Sequence, residues 1–130
     1  MAKKILIVDD ELDIRVFMAT LLETSGFRPI ATEDGQQGLE LARKHKPSLV
    51  IMDVMMPKEN GIHLYRELKK DPDLKNVPVI MVSGIARKTF LHSQSVLDAH
   101  EGGQIPEPAA YIEKPAEPDE LLRTIQRVLA

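Results

Sequence analysis

Five short apolar segments alternate along the chain with segments of helical spacing. The apolar segments cover residues 5–8, 27–31, 49–52, 77–82 and 109–112. The first, third and fourth are nearly continuous aliphatic runs, which are typical of strands buried on both faces of a parallel sheet. Pro29 weakens the second segment and places it at a sheet edge, whereas Pro78 is tolerated near the start of the fourth.

The intervening segments place apolar residues at helical spacing, and each has its own stop signal. They predict five helices: one ending near Thr24 before Gly26, one from Asp34-Gly35 to the basic turn 43–47, one at 61–70, one at 85–100, and one after Lys114-Pro115. Residues 101–108 are rich in Gly and Pro and predict a loop. Five strand–helix alternations predict an α/β fold with a doubly wound parallel sheet, as one domain over residues 1–130.

Polar residues of particular types follow four of the predicted strands. Asp9 and Asp10 follow the first strand, Asp53 the third, Ser83 the fourth and Lys114 the fifth. The carboxyl ends of parallel strands share one rim of the sheet, which is where open α/β sheets bind their ligands. We therefore expect these side chains to meet although they lie far apart in the sequence.

Carboxylates that meet at such a rim require a cation. At a separation of about 5 Å and an effective dielectric of about 20, each carboxylate pair costs about 3 kcal/mol. Hard oxygen ligands in this number fit Mg²⁺ or Mn²⁺. The oxygens of a phosphoryl group at Asp53 would be stabilised by a dication, by the Lys114 ammonium and by the Ser83 hydroxyl. Asp53 is therefore a candidate nucleophile.

Five short motifs in order resemble those of the response-regulator receiver domains of two-component signalling. They are Asp9-Asp10-Glu11 after the first strand, Met52-Asp53 with Met56-Pro57, Gly61, Ser83-Gly84, and Tyr111 through Lys114-Pro115. The resemblance covers essentially the whole chain. It implies a flavodoxin-like, five-stranded sheet of order 2-1-3-4-5 with five helices.

The resemblance also implies a role for each site residue. Asp53 would accept a phosphoryl group from a phosphohistidine of a histidine kinase or phosphotransfer protein. Asp10 would bind the metal directly, Asp9 through water, and the Met55 backbone carbonyl would complete the ligands together with Asp53. Ser83 and Lys114 would bind the phosphoryl group, Tyr111 would act as a switch aromatic, and the Lys114-Pro115 bond would be cis.

Two features of the chain qualify what the resemblance implies. Ser83 and Lys114 are 31 positions apart, more than is usual in the family, and the surplus falls within 100–108. In the family, the fourth helix and fifth strand form the output and dimerisation face, so a homodimer there is an expectation that this loop puts in question.

Met55 and Ile85, each two residues after a site residue, are apolar and cannot orient a hydrolytic water. We therefore expect slow dephosphorylation.

Composition restricts the surroundings and partners of the protein. With 17 Lys and Arg against 20 Asp and Glu, the net charge of −3 gives no electrostatic reason to expect nucleic acid as a partner. The absence of cysteine excludes disulfides and thiolate metal sites. No signal peptide or membrane-spanning run is present in the sequence, so we expect a cytoplasmic protein, with no output domain in this chain.

Other interpretations of the same residues remain open. Asp9-Asp10-Glu11 could simply cap the first helix. A flavin or nucleotide carrier shares the architecture but needs a Gly- or Ser-rich phosphate loop where this chain has three acids. An aspartyl phosphohydrolase needs a general acid or base that Val54 and Met55 do not supply. A receiver-like module that is never phosphorylated is a fourth alternative; the leading one is a signalling phosphoacceptor rather than an enzyme.

Overall fold

The computed structural model describes residues 2–56 and 61–130, which form a five-stranded parallel sheet covered by helices on both faces. The strands are β1 (Lys4–Val8), β2 (Arg28–Thr32), β3 (Leu49–Met52), β4 (Val79–Ser83) and β5 (Ala110–Glu113). The helices are α1 (Leu12–Thr24), α2 (Gly35–His45), α3 (Gly61–Lys70), α4 (Arg87–Glu101) and α5 (Pro118–Leu129). The strand order is β2-β1-β3-β4-β5, so the predicted fold class and strand order are confirmed.

The continuous aliphatic runs are buried on both faces because each face carries its own hydrophobic cluster. Leu6 and Val8 of β1 point to the cluster under α2, α3 and α4, whereas Ile5 and Ile7 point to the cluster under α1 and α5. Alternate residues of a strand face opposite sides of the sheet, so a strand with helices on both sides has no polar face. The central strands of the sheet are accordingly buried along their length.

The predicted elements agree with the structure to within one or two residues. Strand β4 begins at Val79 rather than 77, since Pro78 cannot donate a ladder hydrogen bond, and α4 begins at Arg87 rather than 85. Helix α4 also extends to Glu101, where Gly102 adopts a positive φ of 73° and ends it. The predicted motif residue Pro57 lies outside the described residues.

Gly61 is required by a close approach of α3 to the end of β3. Its backbone nitrogen donates a hydrogen bond to the Val54 carbonyl oxygen at 2.9 Å. A Cβ at this position would lie 2.3 Å from the Asp53 carbonyl oxygen and 2.7 Å from two backbone atoms of Val54. The missing side chain thus lets α3 pack directly behind the backbone that carries Asp53.

Within the described residues, none of the helices has both the length and the apolar character needed to cross a bilayer.

We expect Gly61→Ala to lower the free energy of unfolding by about 1–3 kcal/mol, since the new methyl group meets backbone atoms that cannot rotate away. Gly103→Ala is the matched control, because a Cβ there meets nothing within 4 Å. Urea unfolding followed by circular dichroism measures both variants. An unfolding free energy of Gly61→Ala equal to that of the control would contradict this account of the packing.

Candidate functional site

The register of the sheet brings the polar residues that follow its strands to one rim. Val8 of β1 pairs with Met52 of β3, so Asp9 and Asp53, the next residues of these strands, are neighbours. Ser83 ends β4 and pairs with Glu113 of β5, so Lys114 is the next residue on that side. The Lys114 backbone nitrogen also donates to the Ser83 carbonyl oxygen at 2.8 Å. The Lys114-Pro115 peptide is cis, as the resemblance to the receiver family implied.

The Lys114 ammonium group lies among three carboxylates. Its Nζ donates a hydrogen bond to Asp53 Oδ2 at 2.9 Å and to Glu11 Oε1 at 3.2 Å. It also forms an ion pair with Asp9 Oδ2 at 3.2 Å. The sequence predicted that Lys114 would meet Asp53, and the structure brings them together over 61 residues of chain.

Asp53 and Asp9 are almost fully buried, with exposures of 3% and 1%. Asp53 Oδ1 accepts a hydrogen bond from the Met55 backbone nitrogen at 3.0 Å, and Asp9 Oδ1 accepts one from the Glu11 backbone nitrogen at 2.9 Å. Each acid is therefore held in place by the backbone two residues further on. Such turns fix the direction in which the second oxygen of each carboxylate points.

The pKa values of Asp9 and Lys114 both lie above their ordinary values, but for different reasons. Burial raises the pKa of Asp9, and the Glu11 N–H and the Lys114 ammonium only partly oppose this. Burial lowers the pKa of Lys114, but its hydrogen bond to Asp53 and the charges of Asp9 and Asp53 outweigh that effect and hold the pKa above its ordinary value. Lys114 is therefore a permanent positive charge at neutral pH.

Four acids at this rim form a group that can bind a metal ion. Asp9, Asp10, Glu11 and Asp53 each present an oxygen, and these oxygens lie within 4.8 Å of one another. Lys114 supplies one positive charge to this group. Among the described residues, the buried Asp9 Oδ2 atom has its ion pair with the Lys114 ammonium at 3.2 Å and no further hydrogen-bond partner. An all-oxygen donor set in which a buried carboxylate oxygen can still take a ligand fits a hard divalent cation.

Glu11 is the member of this group that sequence reasoning did not assign to the site. It was quoted with Asp9 and Asp10, but only the folded chain brings its carboxylate to Lys114. The signal was its place directly after two acids at a strand end. Glu11 is exposed, so its contribution to the local charge is the weakest of the three contacts.

The residues two positions after Asp53 and Ser83 donate backbone hydrogen bonds to the side chains of these site residues. The Ile85 backbone nitrogen donates to the Ser83 hydroxyl oxygen at 3.3 Å, as the Met55 nitrogen does to Asp53. Ser83 itself is fully buried, whereas the Met55 side chain is 63% exposed. Both residues therefore contact the site through their backbone nitrogens, and both side chains are apolar.

Tyr111 connects this rim to a row of aromatic side chains. Its hydroxyl donates a hydrogen bond to the Ile85 carbonyl oxygen at 2.6 Å, and burial raises its pKa. Its ring lies 5.6 Å from that of Phe90, which lies 5.9 Å from that of Tyr65. The Tyr65 hydroxyl in turn donates to the Pro106 carbonyl oxygen. The row therefore runs from the loop after Ser83 to the connection between α4 and β5.

Comparisons with known proteins agree with this geometry. The response regulator receiver domain family matches residues 5–126. The chain is 35% identical over 130 residues to the polar-differentiation response regulator DivK of Brucella anthropi, covering 99% of this chain and 98% of DivK.

Solved structures show the same architecture. The chemotaxis response regulator CheY4 of Vibrio cholerae is similar with a TM-score of 0.83 and 25% identity, covering 98% of this chain and 99% of CheY4. A CheY-like response regulator receiver domain protein from Methanospirillum hungatei has a TM-score of 0.81 and 29% identity, covering 99% of this chain and 94% of the other.

We expect Mg²⁺ to raise the thermal midpoint of the native chain, because an ion bound only by the folded state stabilises it by about 1.4 kcal/mol at tenfold excess over Kd. Asp10→Asn removes one carboxylate of the group and should lose most of this shift. The control is Glu23→Gln, an exposed acid in the last turn of α1 that is not a member of the group. Equal shifts in all three proteins, measured by differential scanning fluorimetry, would show that Mg²⁺ does not bind at this rim.

Proposed function

The chain belongs to the response regulator receiver domain family, and we propose that Asp53 is its phosphoacceptor. The observation that carries the proposal is the contact of Lys114 Nζ with Asp53 Oδ2 at 2.9 Å, beside three further acids. Here a buried carboxylate, a fixed ammonium and an acidic metal-binding group converge. Members of this family are signalling proteins rather than enzymes that turn over a separate substrate.

In the proposed reaction, a carboxylate oxygen of Asp53 attacks the phosphorus atom of a phosphohistidine. The new bond joins that oxygen to phosphorus, the phosphorus–nitrogen bond breaks, and the imidazole leaves with the bonding electron pair. When bound, Mg²⁺ or Mn²⁺ would neutralise charge on the phosphoryl oxygens. Asp9, Asp10 and Asp53, with the Met55 backbone carbonyl, are the residues that we propose hold it.

The remaining site residues act on the phosphoryl group by position and charge. Lys114 is already bonded to Asp53, so its ammonium requires little reorganisation to pair with a phosphoryl oxygen. The Ser83 hydroxyl accepts from the Ile85 nitrogen and is also hydrogen-bonded to the Tyr111 side chain, so it would exchange that second bond for one donated to the same group. We propose that Tyr111, bonded to the Ile85 carbonyl, responds when Ser83 makes that bond, and thereby acts as the switch aromatic.

The proposed partners follow from the family. The phosphodonor would be a sensor histidine kinase or a histidine phosphotransfer protein, and the downstream target a protein rather than nucleic acid. We also propose that the protein is cytoplasmic and forms a homodimer through α4, β5 and α5. Residues 1–130 would form a single receiver domain.

The test of the phosphoacceptor is the mass of the intact protein after incubation with acetyl phosphate and Mg²⁺. We expect one phosphoryl adduct on the native chain and none on Asp53→Asn, because the amide is not a nucleophile of this kind. Asp13→Asn, an exposed acid of α1, is the control and should be modified like the native chain. An adduct that persists in Asp53→Asn would move the acceptor to another residue.

We expect the phosphorylated chain to lose its phosphoryl group slowly and Met55→Asn to shorten that lifetime, by about tenfold. The reason is that an amide at an exposed position beside Asp53 can orient a water for attack, whereas the thioether of methionine cannot. Decay of the phosphoryl adduct after removal of acetyl phosphate measures the lifetime. Val96→Asn, a change of another exposed apolar residue on α4, is the control. A native half-life of seconds would overturn the expectation.

A further inference from the structure

Met55 combines exposure to solvent with a direct contact to the proposed phosphoacceptor. The residue is 63% exposed, and its backbone nitrogen donates to Asp53 Oδ1 at 3.0 Å. Its side chain therefore begins next to the carboxylate of Asp53, where solutes can reach it. Met55 belongs to neither hydrophobic cluster of the core, so a chemical change of its side chain leaves the packing of the sheet intact.

The other methionines of the described residues are protected by burial. They are at most 8% exposed and belong to the two clusters that cover the sheet: Met18, Met52, Met56 and Met81. Met1 lies outside the described residues. The chain has no cysteine, so no thiol competes for an oxidant. Because oxidation of sulfur follows its exposure, an oxidant in solution reaches the thioether of Met55 before these four.

Hydrogen peroxide is an oxidant that suits this position. A lone pair of the sulfur attacks one peroxide oxygen, the oxygen–oxygen bond breaks, and the departing hydroxide takes the proton of the transferred oxygen and leaves as water. Sulfur is oxidised to the sulfoxide, and peroxide is reduced. Peroxide carries no charge, so the four acids at the rim do not repel it as they would repel an anionic oxidant.

The sulfoxide differs from the thioether in how it binds water. A thioether sulfur is a weak hydrogen-bond acceptor, whereas the oxygen of a sulfoxide makes the side chain polar. That oxygen can accept a hydrogen bond from a water and orient the water for attack on a phosphoryl group at Asp53. The attack joins the water oxygen to phosphorus and breaks the bond between phosphorus and the Asp53 oxygen, which releases inorganic phosphate and restores the carboxylate.

We propose that Met55 is an oxidation site, and that its conversion to the sulfoxide by hydrogen peroxide shortens the lifetime of the phosphoryl group on Asp53. Methionine sulfoxide reductases return the thioether, so the change is reversible and can act as a redox switch. The effect on lifetime rests on the proposed function of Asp53, whereas the selective oxidation of Met55 does not.

The oxidation is measured on the full chain, without phosphorylation, during incubation with dilute hydrogen peroxide. After proteolysis, mass spectra of the peptides and their fragments locate each added oxygen and separate Met55 from Met56. We expect Met55 to be oxidised at least about tenfold faster than Met18 and Met81, because these two are buried. Equal rates at all three residues, or oxidation confined to Met1, would overturn the proposal.

The lifetime is measured on chain that is oxidised first and then incubated with acetyl phosphate and Mg²⁺. We expect the phosphoryl adduct to decay about threefold faster than on untreated chain, and treatment with the reductases to restore the slow decay. Met55→Leu is the matched control, since it keeps an apolar side chain that peroxide does not oxidise, and its lifetime should not respond to peroxide. Met55→Gln, which carries a carbonyl oxygen, should show the faster decay without oxidation.

The remaining outcomes separate this proposal from the phosphoacceptor assignment. A lifetime that oxidation leaves unchanged or lengthens would overturn the proposal. Faster decay together with a lower free energy of unfolding, or with loss of the thermal shift caused by Mg²⁺, would also overturn it, because the effect would then come from damage to the fold. Absence of an adduct on untreated chain would refute the phosphoacceptor assignment and the effect on lifetime, while the selective oxidation of Met55 would stand.

Discussion

The structure depends on the placement of one ammonium group among buried acids. Asp9 and Asp53 cannot both lie charged and nearly unexposed at adjacent strand ends unless a positive charge offsets their repulsion. Lys114 supplies that charge from β5, which lies two strands away from β3 in the sheet. The remaining negative charge of Asp10 and Glu11 makes the rim attractive to a dication. The four acids and Lys114 therefore form an ion cluster that is stable in the folded chain and that can also bind a dication.

The rest of the fold fixes the positions of these acids. Each acid follows a strand covered on both faces, so its backbone position is set by the packed core rather than by a long loop. The close approach at Gly61 packs α3 directly behind Asp53. The turns at Glu11 and Met55 then orient the carboxylates through backbone N–H groups. Preorganisation of this kind suits phosphoryl transfer, in which the protein mainly positions charges.

The side of the molecule that carries α3 and α4 has a second organising element. Arg66 joins α3 to the end of α4, and the row of Tyr111, Phe90 and Tyr65 runs from the loop after Ser83 to Pro106. Packed aromatic rings and hydrogen-bonded ends make this a continuous physical connection between the two ends of the sheet. The long α4–β5 connection is thus part of the packed structure.

The sequence by itself determined the fold and the identity of the central site residues. Continuous aliphatic runs such as 49–52 require burial on both sides, and a parallel sheet then forces the residues after its strands onto one rim. Asp53 and Lys114 could therefore be paired without a structure. Only the tertiary structure decided the contacts of long charged side chains. Helical periodicity does not specify which residue the charged end of a flexible side chain will contact. That is why Glu11 was missed at the site, and why the ion pairs of Asp98 and Glu101 with the buried Arg66 emerge only from the folded chain.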